Sequence, residues 1–172
     1  MSFLMIKKIK VTSKSQAKAF ISDVPWAAIS ITTYKDDWPK LNGTKRLGLL
    51  QLWFADVELE YYSLADEILF KPEHAKQIYD FVKSMHEKND VELLLVHCEA
   101  GYSRSPAIAC VLEQAFLGLE SKLFPAKYFN SFEGGYLKYE PNKLVHKIMI
   151  QEGIRLGHLK YSDEFQPFVT PE

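Results

Sequence analysis

The 172-residue chain has only two cysteines, too few for a disulfide framework. It has no excess of either charge: 21 Lys and Arg face 22 Asp and Glu, a formal net charge of -1. A nucleic-acid-binding domain needs a basic face, and this balance supplies none. The short run KKIK, Lys7 to Lys10, reads instead as the solvated side of a strand. No stretch approaches the ~18 apolar residues of a membrane span. The opening MSFLMIKKIK has a short apolar start and no small-residue cleavage site, so it makes a poor secretory signal. Internal repeats and low-complexity segments are also lacking. Together these absences point to a soluble chain in a reducing, cytoplasmic setting, with neither nucleic acid nor membrane as a partner.

Apolar residues make up 47% of the chain, enough to build a core, and the length suits one domain. That domain is expected over residues 1–160, with an irregular tail over 161–172. Ile6 to Val11 alternates and reads as an edge strand. Ser13 to Ile21 reads as a short helix, capped by Ser13 or Ser15. Trp26 to Ile31 is a short buried strand, and Arg46 to Phe54 is a continuous apolar run of strand length. The segment after it, FADVELEYYSLADEILF, has no clean period and reads as a long loop, which in a compact domain is often functional.

Pro72 suits the first position of a helix, where its missing N–H costs least. Ala75, Ile78, Val82 and Met85 mark its buried stripe, and it should end near Asn89. Val91 to His97 is a buried strand. From Pro106 the chain is apolar nearly all round, as in a buried helix. Phe124 to Phe132 suggests another short helix and Glu133 to Asn142 a loop. Asn142 can cap a last helix that stops near Gly153. Strands alternating with helices predict an α/β fold, with a mostly parallel central sheet flanked by helices. In such sheets ligands sit beyond the carboxyl ends of the strands.

The stretch VHCEAGYSRSPAIA, Val96 to Ala109, lies at such an end. Five residues, Glu99 to Ser103, separate Cys98 from Arg104. A loop of that length can turn successive backbone N–H groups toward one centre and bind an anion. The helix that follows adds its free N–H groups and the positive end of its dipole. Gly101 permits a backbone conformation that other residues disfavour. Arg104 closes the ring with a planar fork suited to two phosphate oxygens. Helix N-termini and nearby cations also favour the thiolate, so the field that binds the phosphoryl group would activate Cys98. Ser105 can donate to the sulfur and help it leave in a second step, and can also cap the helix ahead of Pro106. His97 reads as a buried ring that bonds to the loop and holds the cysteine in place, rather than as a base.

HCEAGYSRS resembles the His-Cys-x5-Arg-Ser signature of the cysteine-dependent protein tyrosine phosphatases, and its Ala-Gly-x-Ser-Arg-Ser interior is similar to the dual-specificity branch. The likeness covers roughly Pro72 to Leu117. PNKLVHKI, from Pro141, is similar to a late segment of small bacterial and phage members. The resemblance implies a phosphotyrosine protein phosphatase-like fold and two-step hydrolysis of phosphotyrosine, phosphoserine or phosphothreonine in proteins and peptides. Cys98 would form a cysteinyl-phosphate that water then hydrolyses, without metal or cofactor. Glu99, Ala100, Gly101, Tyr102, Ser103 and Arg104 would cradle the phosphate.

The family's general acid is an aspartate on an upstream loop. Asp56 follows a strand end, in LWFAD, and is the choice; Asp66 is the runner-up. Asp56 stands 42 residues before Cys98 and Asp66 stands 32 before it, so Asp56 requires an insertion, for which Glu58 to Lys71 is suited. Asp36 and Asp37 read as solvated loop charges.

The absence of lysine between Cys98 and Arg104 argues against an inositol-lipid substrate, and Ser-Arg-Ser against the RNA triphosphatase branch. Glu99 and Tyr102 would sit at the rim, with Glu99 disfavouring acidic substrates. Tyr34, Trp38 and Trp53 are candidate pocket walls, though each reads better as packing. Cys110 reads as a small core hydrophobe. The competing readings are a catalytically weak pseudophosphatase that binds phosphorylated partners, and a sulfur-transfer enzyme with a cysteine anion loop.

Overall fold

The computed structural model describes residues 5–58, 69–88, 90–118 and 123–160. Its central sheet has four strands: β1 (Lys8–Thr12), β2 (Trp26–Thr32), β3 (Arg46–Trp53) and β4 (Leu93–His97). Their order is β1-β4-β2-β3 and every pairing is parallel. The predicted mostly parallel sheet is therefore parallel throughout.

Five helices are described: α1 (Lys14–Ala19), α2 (Pro72–Glu87), α3 (Arg104–Leu117), α4 (Ala126–Phe129) and α5 (Lys143–Arg155). The two inner strands are buried on both faces, which is why their sequences are nearly continuous apolar runs. Ala27, Ile29 and Ile31 of β2, with Leu94 and Val96 of β4, face a large core completed by α2, α3 and α5. Trp26, Ala28 and Leu95 face the other way, into a small core with Ala17 of α1 and Leu41.

The edge strands read differently. In β1 the lysines of KKIK point to water while Ile9 is buried. The strand starts at Lys8, two residues later than the alternation suggested. In β3 the run is not buried throughout: among the described strands β3 is at the sheet edge, and Leu47 and Leu49 are exposed on one of its faces.

Local signals set the helix ends. Ser13 caps α1 through a reciprocal box, its Oγ accepting from Gln16 N (3.2 Å) while its N–H donates to Gln16 Oε1 (2.9 Å). Pro72 opens α2, and the predicted stripe of Ala75, Ile78, Val82 and Met85 is buried, joined by Tyr79. In α3 every residue from Arg104 to Glu113 is buried, as its all-round apolar sequence requires.

Two expectations change after α3. The helix expected over Phe124–Phe132 shrinks to a single turn after Pro125. The expected loop over Glu133–Asn142 begins with a tight hairpin, β5 (Phe132–Glu133) and β6 (Tyr136–Leu137). Gly134 and Gly135 both have positive φ (61° and 84°), the geometry a two-residue hairpin turn demands. The segment 59–68, which holds Asp66 and most of the expected insertion, and the tail 161–172 lie outside the described residues.

His146 of α5 is buried against Phe124, with which it stacks at 5.6 Å, and Phe129, which meets it edge-on at 5.1 Å. Burial pulls its pKa down to about 4, against a weaker opposing hydrogen bond with the Leu123 backbone.

Two predictions follow from this packing. Leu94→Ala, in an inner strand, should cost about 2–5 kcal/mol, whereas Leu47→Ala should change stability by less than about 0.5 kcal/mol. Urea midpoints read both, and similar losses would contradict the burial pattern. His146 is the second case. Its folded pKa lies below the unfolded value, so its contribution is complete above pH 6.5 and is lost as pH falls from there toward about 4. On the order of 3 kcal/mol is at stake over that window. His146→Gln should flatten the stability–pH slope between those limits; an unchanged slope would show that the ring does not stay neutral.

Candidate active site

The four strands end at the same edge of the sheet, β2 and β3 running two residues past β1 and β4. His97, the last residue of β4, is in register with Thr12, the last of β1, and with Ser30 near the end of β2. The loop from Cys98 to Ser103 leaves this edge and returns as α3, whose first N–H groups have no partners within the helix.

Each end holds part of the loop. Gly101 has φ +68°, and a Cβ there would stand 2.6 Å from the Thr12 carbonyl carbon and 2.7 Å from Ser13 N. Glycine is thus required twice, by the left-handed backbone and by contact with the end of β1. The amide of Lys14 donates to the Glu99 carbonyl (3.0 Å), tying the same corner. On the far side, Tyr102 and Ser103 carbonyls accept from the Glu140 (2.9 Å) and Asn142 (3.0 Å) amides.

Cys98 is buried, with Sγ 3.1 Å from Ser105 Oγ in the first turn of α3. His97 is fully buried. Its Nδ1–H donates to the Cys98 carbonyl (3.1 Å), so Nε2 must accept from the Ser30 hydroxyl (2.5 Å). Burial lowers its pKa, which keeps the ring neutral in this tautomer. The geometry is that of a brace for the Cys98 backbone.

Arg104 is 4% exposed. Its Nη1 donates to the Phe54 carbonyl (2.8 Å) and to Thr33 Oγ1 (3.0 Å), the chain just beyond β3 and β2. Its Nε is buried and has no partner. Among the described residues no carboxylate pairs with it. A buried cation with a spare donor, at a helix N-terminus beside a thiol, is a place for an oxyanion.

Asp56 lies against the loop: its Oδ1 accepts from Ser103 Oγ (2.7 Å) and from Asn142 Nδ2 (2.7 Å). Asp66 falls in the segment that is not described. Asp37 is at the surface, in contact with Lys14 Nζ at 3.0 Å; the same ammonium is 3.8 Å from Glu99. Glu99 and Ala100 are exposed, and Tyr102 stands at the rim with its pKa raised by desolvation and by the Glu140 carboxylate. Trp38 is engaged in packing, with Nε1 donating to the Leu52 carbonyl (2.9 Å), while Tyr34 is exposed. Cys110 is buried inside α3, its thiol pKa pushed up by burial and by Glu113.

Ser30, Thr33 and the second set of contacts made by Asn142 carried no local signal in the sequence. Each depends on strand register or on pairing between distant segments.

No family model matches the sequence, and no curated protein sequence matches it. Among solved structures, the human tyrosine phosphatase-like serine/threonine/tyrosine-interacting protein has the same fold. The TM-score is 0.54 at 19% identity, over 87% of this chain and 99% of that one. The fold is thus phosphatase-like.

Gly101→Ala tests the corner. Alanine must either hold a left-handed backbone, which alone costs roughly 1–2 kcal/mol, and push Thr12 aside, or leave that region and reshape the loop. Binding of inorganic phosphate, read by calorimetry, should weaken by about tenfold or more. Unchanged affinity would show that the loop tolerates a side chain there.

Proposed function

We propose that the chain is a cysteine-dependent protein phosphatase that hydrolyses phosphotyrosine, with phosphoserine and phosphothreonine as further substrates. The observation that carries this reading is the meeting, at one strand edge, of a buried thiol with Ser105 Oγ 3.1 Å away and a buried guanidinium with an unpartnered Nε. Nucleophile, leaving-sulfur donor and oxyanion clamp sit together on a fold that is phosphatase-like.

The Cys98 thiolate attacks phosphorus while Arg104 and the loop amides take the growing charge on the equatorial oxygens. The P–O bond to the substrate breaks, and Asp56 gives its proton to the leaving oxygen. The product is a cysteinyl-phosphate. Asp56, now a carboxylate, takes a proton from water; that water attacks phosphorus and the P–S bond breaks. Ser105 donates to the departing sulfur, and orthophosphate is released.

The second reading is a module that binds phosphorylated partners and turns them over slowly. The neighbour's description as a phosphatase-like interacting protein favours it.

The test is hydrolysis of para-nitrophenyl phosphate near pH 6 with EDTA present. Wild type is expected to be active and Cys98→Ser inactive. A reduced, folded wild type without turnover that still binds phosphopeptides would favour the binding module. Asp56→Asn should lower turnover of alkyl phosphates by about 10²–10⁴ and that of para-nitrophenyl phosphate far less, because nitrophenolate leaves without a proton. Equal losses on both would remove Asp56 from the acid role.

A further inference from the structure

Asn142 is read from the sequence only as a helix cap, and it is one: its Oδ1 accepts from Val145 N (3.0 Å) at the start of α5. The side chain is completely buried, and its other end is engaged elsewhere. Nδ2 donates to Asp56 Oδ1 (2.7 Å) and, more distantly, to the Val57 carbonyl (3.3 Å). Its backbone N–H donates to the Ser103 carbonyl (3.0 Å). The next residue continues the pattern, with Lys143 N donating to Glu58 Oε1 (3.3 Å). The Asn142 side chain therefore joins Asp56 and Val57 to α5, while its backbone N–H holds the anion-binding loop.

We propose that Asn142 is the positioning residue for the general acid, acting with Ser103 to clamp Asp56 over the loop through a single carboxylate oxygen. The proposal rests on the phosphatase reading above. Its chemistry follows from the count of lone pairs. Ser103 Oγ and Asn142 Nδ2 both donate to Oδ1, so Oδ1 is occupied as an acceptor and the transferable proton sits on Oδ2. In the first step the Oδ2–H bond breaks as the proton passes to the leaving oxygen, and the electron pair stays on the carboxylate. The two donors stabilise the charge left behind. In the second step Oδ2 recovers a proton from the attacking water. The clamp also fixes the carboxyl plane, so that Oδ2 need not search for its target.

The cap and the clamp use opposite ends of the same amide, which allows them to be separated. Asn142→Ser and Asn142→Thr both keep an oxygen suited to cap α5, and both remove the N–H donor to Asp56. The readout is kcat across aryl phosphates of decreasing leaving-group acidity, from para-nitrophenyl to phenyl, with phosphoserine as the alkyl extreme. Asn142→Ser should lower kcat on the poor leaving groups about ten- to hundredfold more than on para-nitrophenyl phosphate, the size expected for a lost hydrogen bond to a charged group. The thermal midpoint should stay within a few degrees of wild type. In an Asp56→Asn background the same substitution should add no further leaving-group dependence.

Equal losses on all substrates, or a leaving-group effect that persists without Asp56, would reduce Asn142 to a cap and overturn the proposal while leaving the phosphatase reading intact. A wild type without Cys98-dependent turnover, or an Asp56→Asn variant with no leaving-group effect, would overturn the underlying reading and the clamp with it. Should Asn142→Ser fail to fold, Asn142→Thr carries the same test, since it keeps a capping oxygen, lacks the amide donor and places no second carboxylate beside Asp56.

Discussion

Four parallel strands end at one edge, and each end supplies a fixed point for the loop that follows β4. Thr12 of β1 backs onto Gly101, Ser30 of β2 anchors the His97 ring, and Thr33 and Phe54, just past β2 and β3, hold Arg104. An antiparallel strand in any of these places would present its opposite end. The site depends on this convergence more than on any single side chain. The loop itself is short, and its shape is set by what it leans on.

Arg104 shows what that arrangement does energetically. A guanidinium taken out of water loses strong hydration, and here its partners are a neutral hydroxyl and a peptide carbonyl. Those two bonds orient the fork without cancelling its charge. The helix dipole behind it has the same sign. The loop therefore lies in a positive field that favours negative charge, and the neutral tautomer of His97 avoids adding a second cation to it. The fold meets the cost of this pairing elsewhere, through the apolar burial of α3 over Arg104 to Glu113 and of the two inner strands.

The parts of the fold written in local sequence were legible in it. The two inner strands, the stripe on α2, the Ser13 cap and the buried character of α3 each follow from spacing within a few residues. The β5–β6 hairpin was missed although Gly134-Gly135 between aromatic residues is a recognisable turn signal; two-residue strands are too short to show alternation. The exposure of Leu47 and Leu49 was hidden because composition cannot tell an edge strand from an inner one. At the site, the spacing from Cys98 to Ser105 was visible at once. The partners Ser30 and Thr33 were not, since they lie 67 and 71 positions from the residues they bond and are brought there only by register. Asn142 was visible in half: its cap is a contact three residues away, whereas its bond to Asp56 spans 86.

That last separation bears on how the molecule comes into being. The four strands of the central sheet and the whole loop from Cys98 to Ser103 precede residue 105, yet Ser103 and Asp56 gain their shared partner with residue 142. A growing chain can thus pair its sheet and set Ser103 against Asp56 before it has made the second donor to that carboxylate or the helix on which α3 packs. Residues 142–155 thus close the core and the site together, Asn142 supplying the donor shared by the two and α5 a wall of the large core.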